Sequence, residues 1–464
     1  MEKQTRREFL KTISFAAASA GTLSTLPGCA SISQRSQAGR KRPNIIVIIS
    51  DDQGYADIGV HGCQDIATPN IDSIARNGFR FTNGYVSCPV CSPTRAGLAT
   101  GRYQQRFGHE FNTGPPPGGL RDHVGLPLTE VTIADVLKSA GYVTGAVGKW
   151  HLGMAPHFHP FKRGYDEFFG FLHGGHSYID PGLGTFNPIL HGTEPVDEKE
   201  YLTDAFSREA VAFIQRHHDK PFFLYLAYNA VHTPLQAPPR YQNGFGHITD
   251  KKRRVYAGML TAMDEGIGKL LAKLRELDIQ KDTVLFFLSD NGGPKANGSR
   301  NDPLRGTKGT MFEGGIRVPF MVQWPRRLKG GQAYEHPVIA LDILPTAAAA
   351  VGADLPRDRK FDGVNLLPYL TGEKKTPPHE SLFWRMGQNY AARKGNLKLV
   401  KMGEQISLFD LSSDIGESQD LADQRPDVLR EMQQAYKQWN SEMIEPVWTR
   451  QRRTRKTTKT KSKR

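Results

Sequence analysis

The sequence predicts an α/β fold: a large, mixed but mostly parallel sheet flanked by helices, followed by a small C-terminal antiparallel α+β subdomain. Three observations carry this. Short continuous apolar runs rich in β-branched residues, at 44–49, 221–228 and 283–288, alternate with longer amphipathic stretches. That is the pattern of strands buried on both faces and joined by helical crossovers. Polar clusters follow these runs directly, as at Ser50-Asp51-Asp52 and Ser289-Asp290-Asn291, where open α/β sheets bind ligands. From residue 375 the pattern changes to short runs at 381–385, 389–394, 397–401 and 406–409 with brief turns between them, which reads as antiparallel hairpins. At 464 residues the chain is too long for one simple core, so a large domain over 43–370 and a smaller one over 371–445 are expected.

The N-terminus reads as a targeting segment. Thr5-Arg6-Arg7-Glu8-Phe9-Leu10-Lys11 resembles a twin-arginine export signal, and an apolar stretch over 13–26 follows it. Leu26-Pro27-Gly28-Cys29 is similar to a lipoprotein cleavage box, which would anchor a lipid at Cys29. Simple cleavage with release into the periplasm is the other reading. Residues 1–29 are thus the expected signal and 30–42 a polar, basic linker. Twin-arginine export carries folded proteins, so folding is expected to precede it.

The net charge is +14. Residues 1–42 hold eight Lys/Arg against two Glu, and residues 450–464 hold nine against no acid. The two ends carry the whole excess, and the body between them is close to neutral. Overall basicity therefore does not argue for a nucleic-acid-binding fold, and no nucleic-acid partner is expected. No apolar run is long enough to span a bilayer.

The first strand, 44–49, runs into Asp51 and Asp52. Two adjacent carboxylates at a buried strand end repel each other, and a hard cation is the usual compensation. An ordinary polar loop is the bland alternative. A capped helix is expected over 68–75 and a strand over 79–86. Then comes Cys91-Ser92-Pro93-Thr94-Arg95-Ala96-Gly97-Leu98-Ala99-Thr100-Gly101-Arg102. Pro93 suits the first turn of a helix. Cys91 would sit at its electropositive N-terminus, where a thiol is acidic and nucleophilic. A buried cysteine beside a helix cap is the alternative. The four cysteines, Cys29, Cys63, Cys88 and Cys91, show no zinc-type spacing, although Cys88 and Cys91 form a C-x-x-C that also fits a redox site. A Cys63–Cys88 disulfide is compatible with an oxidising compartment.

A helix over 131–140 precedes a strand over 141–147, which ends at Lys149-Trp150-His151. Residues 154–200, rich in Gly, Pro, Phe and His, read as long surface loops. Helices follow at 203–217 and 251–277. The strand at 221–228 runs into His232 and the strand at 283–288 into Asp290 and Asn291. The next loop carries Arg305 and Lys308, before a strand at 320–324 and a helix at 341–351. A helix over 426–440 closes the fold, and 446–464 reads as a basic, disordered tail. Its cations suit a salt-dependent hold on a polyanion; a solvated tail without a role is the alternative.

Asp51, Asp52, Asp290 and the amide oxygen of Asn291 make a hard donor set that suits Ca²⁺, and Mg²⁺ less well. Arg95, Lys149 and Lys308 offer fixed positive charge, and His151 and His232 offer proton transfer.

The run from Cys91 to Arg102 resembles the signature of type I sulfatases of the alkaline phosphatase superfamily, and the likeness extends over 43–440. The resemblance implies an alkaline phosphatase-like fold, a sulfuric ester hydrolase, and oxidation of Cys91 to Cα-formylglycine by a formylglycine-generating enzyme. It implies that the aldehyde hydrate attacks sulfur, with Asp51, Asp52, Asp290, Asn291 and residue 91 around the metal. Arg95 and His151 would hold the hydrate, and His151 would help expel sulfate. Lys149 and Lys308 would grip the sulfate, and His232 would protonate the leaving oxygen. A sulfated polysaccharide or oligosaccharide is the expected substrate. His109, Glu110, Asn112, His173, His176 and Ser177 are expected to contact the sugar, although an isolated loop histidine is as readily just solvated. A phosphodiester or phosphonate monoester hydrolase of the same superfamily, and a non-catalytic glycan-binding homologue, are the rival readings.

Overall fold

The strand Asn44–Ser50 is buried along its whole length. Ile45, Val47 and Ile49 point into one apolar core, and Ile46 and Ile48 into another. Burial of both faces explains why its sequence is continuously apolar rather than alternating. The structure, a computed structural model, describes residues 42–114, 120–180 and 187–449. The export signal, Cys29, nearly all of the linker and the tail from residue 450 lie outside the described residues.

The strand sits at the centre of a ten-stranded sheet. It pairs in parallel with Phe222–Ala227 on one side and Thr283–Ser289 on the other. Phe222–Ala227 pairs in parallel with Val143–Lys149, which pairs in parallel with Glu167–Phe171. On the opposite flank Phe320–Gln323 runs antiparallel to Thr283–Ser289 and is followed by Phe79–Phe81. The sheet is therefore mixed but mostly parallel at its centre. In register, Ser50 faces Ser289, so the residues that follow both strands emerge side by side.

Helices cover both faces. The long helix Lys251–Glu276 and the helix Leu202–His217 pack on the face that contains Ile46 and Ile48. Asp250 caps the long helix through the backbone N–H groups of Lys252 and Arg253. The short helix Cys91–Thr100 packs on the other face through Ala96, Leu98 and Ala99. It ends at Gly101, whose φ of 64° is the left-handed conformation that closes a helix.

Two expectations need correction. The expected strand over 79–86 is two short pieces, Phe79–Phe81 and Gly84–Tyr85, in different sheets. The region 154–200 is not all loop: Glu167–Phe171 is a largely buried strand of the main sheet. Its Phe-Phe-Gly-Phe core is too short for periodicity to separate it from the loops around it.

Four antiparallel strands, Ser381–Met386, Asn389–Lys394, Leu397–Met402 and Gln405–Asp410, form a second sheet in sequence order. The helix Pro426–Asn440 lies against it, with Tyr436 stacked on Tyr390 at 3.9 Å. Trp384 ties this sheet to the main body, its indole N–H donating to the Val86 carbonyl. No helix among the described residues is long and apolar enough to cross a membrane.

Candidate active site

The four central parallel strands end on the same edge of the sheet, and each delivers one polar cluster there. Asn44–Ser50 delivers Asp51 and Asp52; Thr283–Ser289 delivers Asp290 and Asn291; Val143–Lys149 delivers Lys149 and His151; Phe222–Ala227 delivers His232. Backbone bonds lock these ends together. The N–H of Asp290 donates to the Ser50 carbonyl and that of Asp51 to the Ala230 carbonyl. Convergence of distant residues at strand carboxyl ends is what the topology of an open α/β sheet provides.

Cys91 opens its helix in the middle of this ring. Its Sγ lies 3.6 Å from Asp51 Oδ1 and 3.1 Å from Lys308 Nζ. Lys308 also donates to Asp52 Oδ1, and Lys149 to Asp51 Oδ2, each at 2.5 Å. Arg95, four residues along the helix, sends Nε and a terminal N–H to Asp290 Oδ2 at 3.0 and 2.8 Å. Its other terminal nitrogen donates to the Lys149 carbonyl. Arg95, Lys149, Asp51 and Asp290 are all buried. A buried charge is tolerated only when it is paired, and here the pairing is complete.

The electrostatics follow from this packing. Burial pulls on Lys308, but Asp52 and the other negative groups around it more than offset that, so its ammonium stays charged. Burial, reinforced by Lys149 and Arg95, drives His151 well below its ordinary value, so its imidazole is neutral. The expectation of an acidic Cys91 thiol is overturned: burial, with Asp290 second, pushes it up to about 12. Desolvation outweighs the helix N-terminus and both lysines.

The donor set fits a hard divalent cation. Asp51, Asp52, Cys91 and His232 each offer a ligand atom, all within 4.8 Å of one another. The side-chain nitrogen of Asn291 donates to Asp52 Oδ1, while its Oδ1 is buried with no hydrogen-bond partner among the described residues. A buried, unpaired amide oxygen beside three carboxylates is a ready ligand for a hard cation. Asp290 joins the group through its Oδ1, which accepts from the Asp52 N–H at 3.3 Å. Asp52 and His151 hold left-handed backbones, with φ of 62° and 58°, conformations that non-glycine residues adopt at a cost and that cluster at functional sites.

The expected sugar contacts divide. His173 belongs to the loop over the site, its ring centroid 6.2 Å from that of His151. The next residue, Gly174, lies so close that a Cβ there would come within 2.6 Å of the His151 ring. Asn112 is exposed, but its Oδ1 accepts from the Ser92 N–H at 3.0 Å. Four expectations do not fit a sugar contact. Glu110 is fully buried and paired with Arg385, and it also accepts from the Gly387 N–H. The ring nitrogens of His176 lie 2.9 and 2.8 Å from the carbonyls of Ser177 and Asn187. The Ser177 hydroxyl is turned to the Ile179 carbonyl and Gln236. His109 is buried against Ser92. Cys63, Cys88 and Cys91 are free thiols, so neither the disulfide nor a closed C-x-x-C pair is formed.

Other residues that shape the site carry no local signal in the sequence. Tyr178 donates to the His232 carbonyl at 2.8 Å, and Asn297 donates to the carbonyls of Asp52 and Val231. Neither stands out until the fold brings it in.

The comparisons with known proteins agree with this geometry. The sulfatase family profile matches residues 43–353, and that of the N-sulphoglucosamine sulphohydrolase C-terminal region matches 307–445. Human N-acetylgalactosamine-6-sulfatase is 37% identical over 354 residues, covering 71% of this chain and 66% of its own. Bovine arylsulfatase A is 34% identical, covering 86% and 87%. The crystal structure of Ps i-CgsB superposes with a TM-score of 0.84 at 40% identity, over 88% of this chain and 95% of that one. With the family profile spanning most of the body, and a relative 34% identical over 86% of this chain and 87% of its own, the chain belongs to the type I sulfatase family of the alkaline phosphatase superfamily.

Proposed function

We propose that the protein is an exported sulfatase that removes sulfate from a carbohydrate ester, using formylglycine made from Cys91 and one bound Ca²⁺. One observation carries the reading: Cys91 sits at a helix N-terminus, 3.6 Å from Asp51 and 3.1 Å from Lys308, inside a closed set of acids, cations and two histidines. The glycan substrate is supported by two relatives. One structure of Ps i-CgsB is a complex with k-i-k-neocarrahexaose, at 39% identity to this chain, and human N-acetylgalactosamine-6-sulfatase is named for a sugar sulfate. Export is supported by the segment around Arg6 and Arg7.

Asp51, Asp52, Asp290 and Asn291 would hold the ion. When in place, the ion supplies Lewis-acid polarisation of sulfate oxygens, and the aldehyde hydrate supplies a nucleophilic hydroxyl. Lys149 and Lys308 place fixed charge where the sulfonyl oxygens gather negative charge. His232 has a side chain 22% exposed, with Nε2 3.6 Å from Asp52 Oδ2. That exposure supports a role for it in giving a proton to the departing alcohol. His151 is enclosed and held neutral, which leaves a ring lone pair to accept a hydrogen bond from the hydrate.

The test is sulfate release from a panel of carrageenans, glycosaminoglycans and a generic aryl sulfate, with enzyme matured by a formylglycine-generating partner. The expected result is release from one glycan class, lost to background in Cys91→Ala. Silence on every glycan, with the aldehyde verified by mass spectrometry, overturns the carbohydrate reading.

A further inference from the structure

Ser92 follows the nucleophile position directly, yet its hydroxyl faces away from the acids and cations. It lies 2.7 Å from the His151 carbonyl and 2.6 Å from Nε2 of His109. A hydroxyl has one hydrogen. If it donates to the carbonyl, which can only accept, then Nε2 of His109 must carry the hydrogen that Ser92 accepts. The result is one directed chain, from the imidazole N–H through the hydroxyl to the carbonyl of His151. Ser92, His109 and His151 are all buried, so water does not compete with these bonds.

The far end of the chain is a strained one. His151 has a φ of 58°, and a left-handed backbone on a non-glycine residue persists only where its surroundings hold it. Its N–H donates to the Leu172 carbonyl at 3.1 Å, and its carbonyl is the group that Ser92 holds. Gly174 packs against its ring. The near end is fixed as well. The His109 ring meets the edge of Trp448 at 4.6 Å, and the Trp448 indole N–H reaches the carbonyls of Phe111 and Asn112. Asn112 in turn holds the Ser92 N–H.

We propose that Ser92 and His109 are a positioning pair that holds the left-handed backbone of His151 and thereby aims its imidazole at the residue-91 nucleophile. His109 is then not a sugar contact, and its effect on turnover passes through Ser92. The proposal rests on the sulfatase reading for the role of His151, but not for the geometry.

The experiment compares Ser92→Ala, Ser92→Thr, His109→Phe and the Ala/Phe double variant, with 4-nitrophenyl sulfate as probe. Rates are normalised to the aldehyde content of each protein, and each melting temperature is recorded. Ser92→Ala is expected to lower kcat about 10- to 100-fold with KM little changed, as a misplaced catalytic group does. Ser92→Thr restores the hydroxyl and the rate. His109→Phe lowers kcat less, and the double variant is no worse than Ser92→Ala, because both act through one chain. Full kcat in Ser92→Ala, additive losses, or a Thr variant as slow as Ala overturns the pair. A crystal structure of Ser92→Ala gives a reading that needs no activity: His151 leaving the left-handed region supports the proposal, and His151 unmoved overturns it. Wild-type protein with no turnover on any ester would instead count against the sulfatase reading.

Discussion

At the scale of the residue, His232 separates proton delivery from charge stabilisation. It is the more exposed of the two site histidines, and among the described residues no hydrogen bond blocks its Nε2 from a substrate oxygen. If it protonates the departing oxygen, its removal matters only where that oxygen is basic. His232→Ala is expected to lose about 10²-fold in kcat/KM on an alkyl or sugar sulfate and only a few-fold on 4-nitrophenyl sulfate, whose phenolate leaves unaided. Equal losses on both substrates would show that the residue acts otherwise. The chemistry at this scale was legible from sequence because acids, cations and histidines followed recognisable strand ends. Glu110 was not legible: its partner Arg385 lies 275 residues away, and nothing local distinguishes a buried ion pair from a polar contact to substrate. The Cys91 thiol was misjudged for a related reason, since the helix N-terminus is a local feature and burial is not.

At the scale of the element, the C-terminal sheet does more than cover the main body. Lys398 is fully buried and bonds Glu313 and Glu417 at 2.8 Å each. Glu313 ends the loop that carries Lys308, and Arg305 on the same loop donates to the Glu417 carbonyl. The sheet thus props the loop that presents a site cation. Lys398→Met leaves two carboxylates facing each other in a dry site. It is expected to cost about 3–5 kcal/mol of stability, read as a lowered melting temperature, together with a loss of turnover by the surviving fold. A second device is His379, whose Nε2 lies 2.8 Å from Asp342, the residue that precedes the helix Ile343–Val351. Burial alone would lower its pKa, but Asp342 more than offsets this and leaves it above the ordinary 6.5. A histidine raised in the folded state stabilises fully below its unfolded pKa and loses that contribution as pH rises through the folded one. The melting-temperature gap between wild type and His379→Gln is therefore expected to be widest below about pH 6 and to close at alkaline pH; a gap independent of pH would contradict it. The central strands were readable because continuous apolar runs of this kind mark buried parallel strands. The strand Glu167–Phe171 was not, because its identity comes from pairing with Val143–Lys149, not from its own pattern.

At the scale of the whole molecule, charge is distributed unevenly along the chain. The body is close to neutral, while residues 450–464 carry nine Lys/Arg and no acid. The described chain reaches that segment through Trp448, which is bonded to the carbonyls of Phe111 and Asn112, and Asn112 holds the N–H beside residue 91. The cationic segment therefore starts from a point that is bonded, through two residues, to the nucleophile helix. Attraction between those charges and a polyanionic glycan would be screened beyond a Debye length of about 8 Å at physiological salt. Truncation after Thr449 is expected to leave kcat/KM on an aryl sulfate unchanged. On a sulfated polymer at low ionic strength it is expected to raise KM several-fold, and the difference from the full chain shrinks as salt is added. Rates on polymer that are equal with and without the segment at low salt would show that its charge takes no part in substrate capture. A loss that persisted at high salt would point to a contribution of the segment other than charge, because packing is not screened.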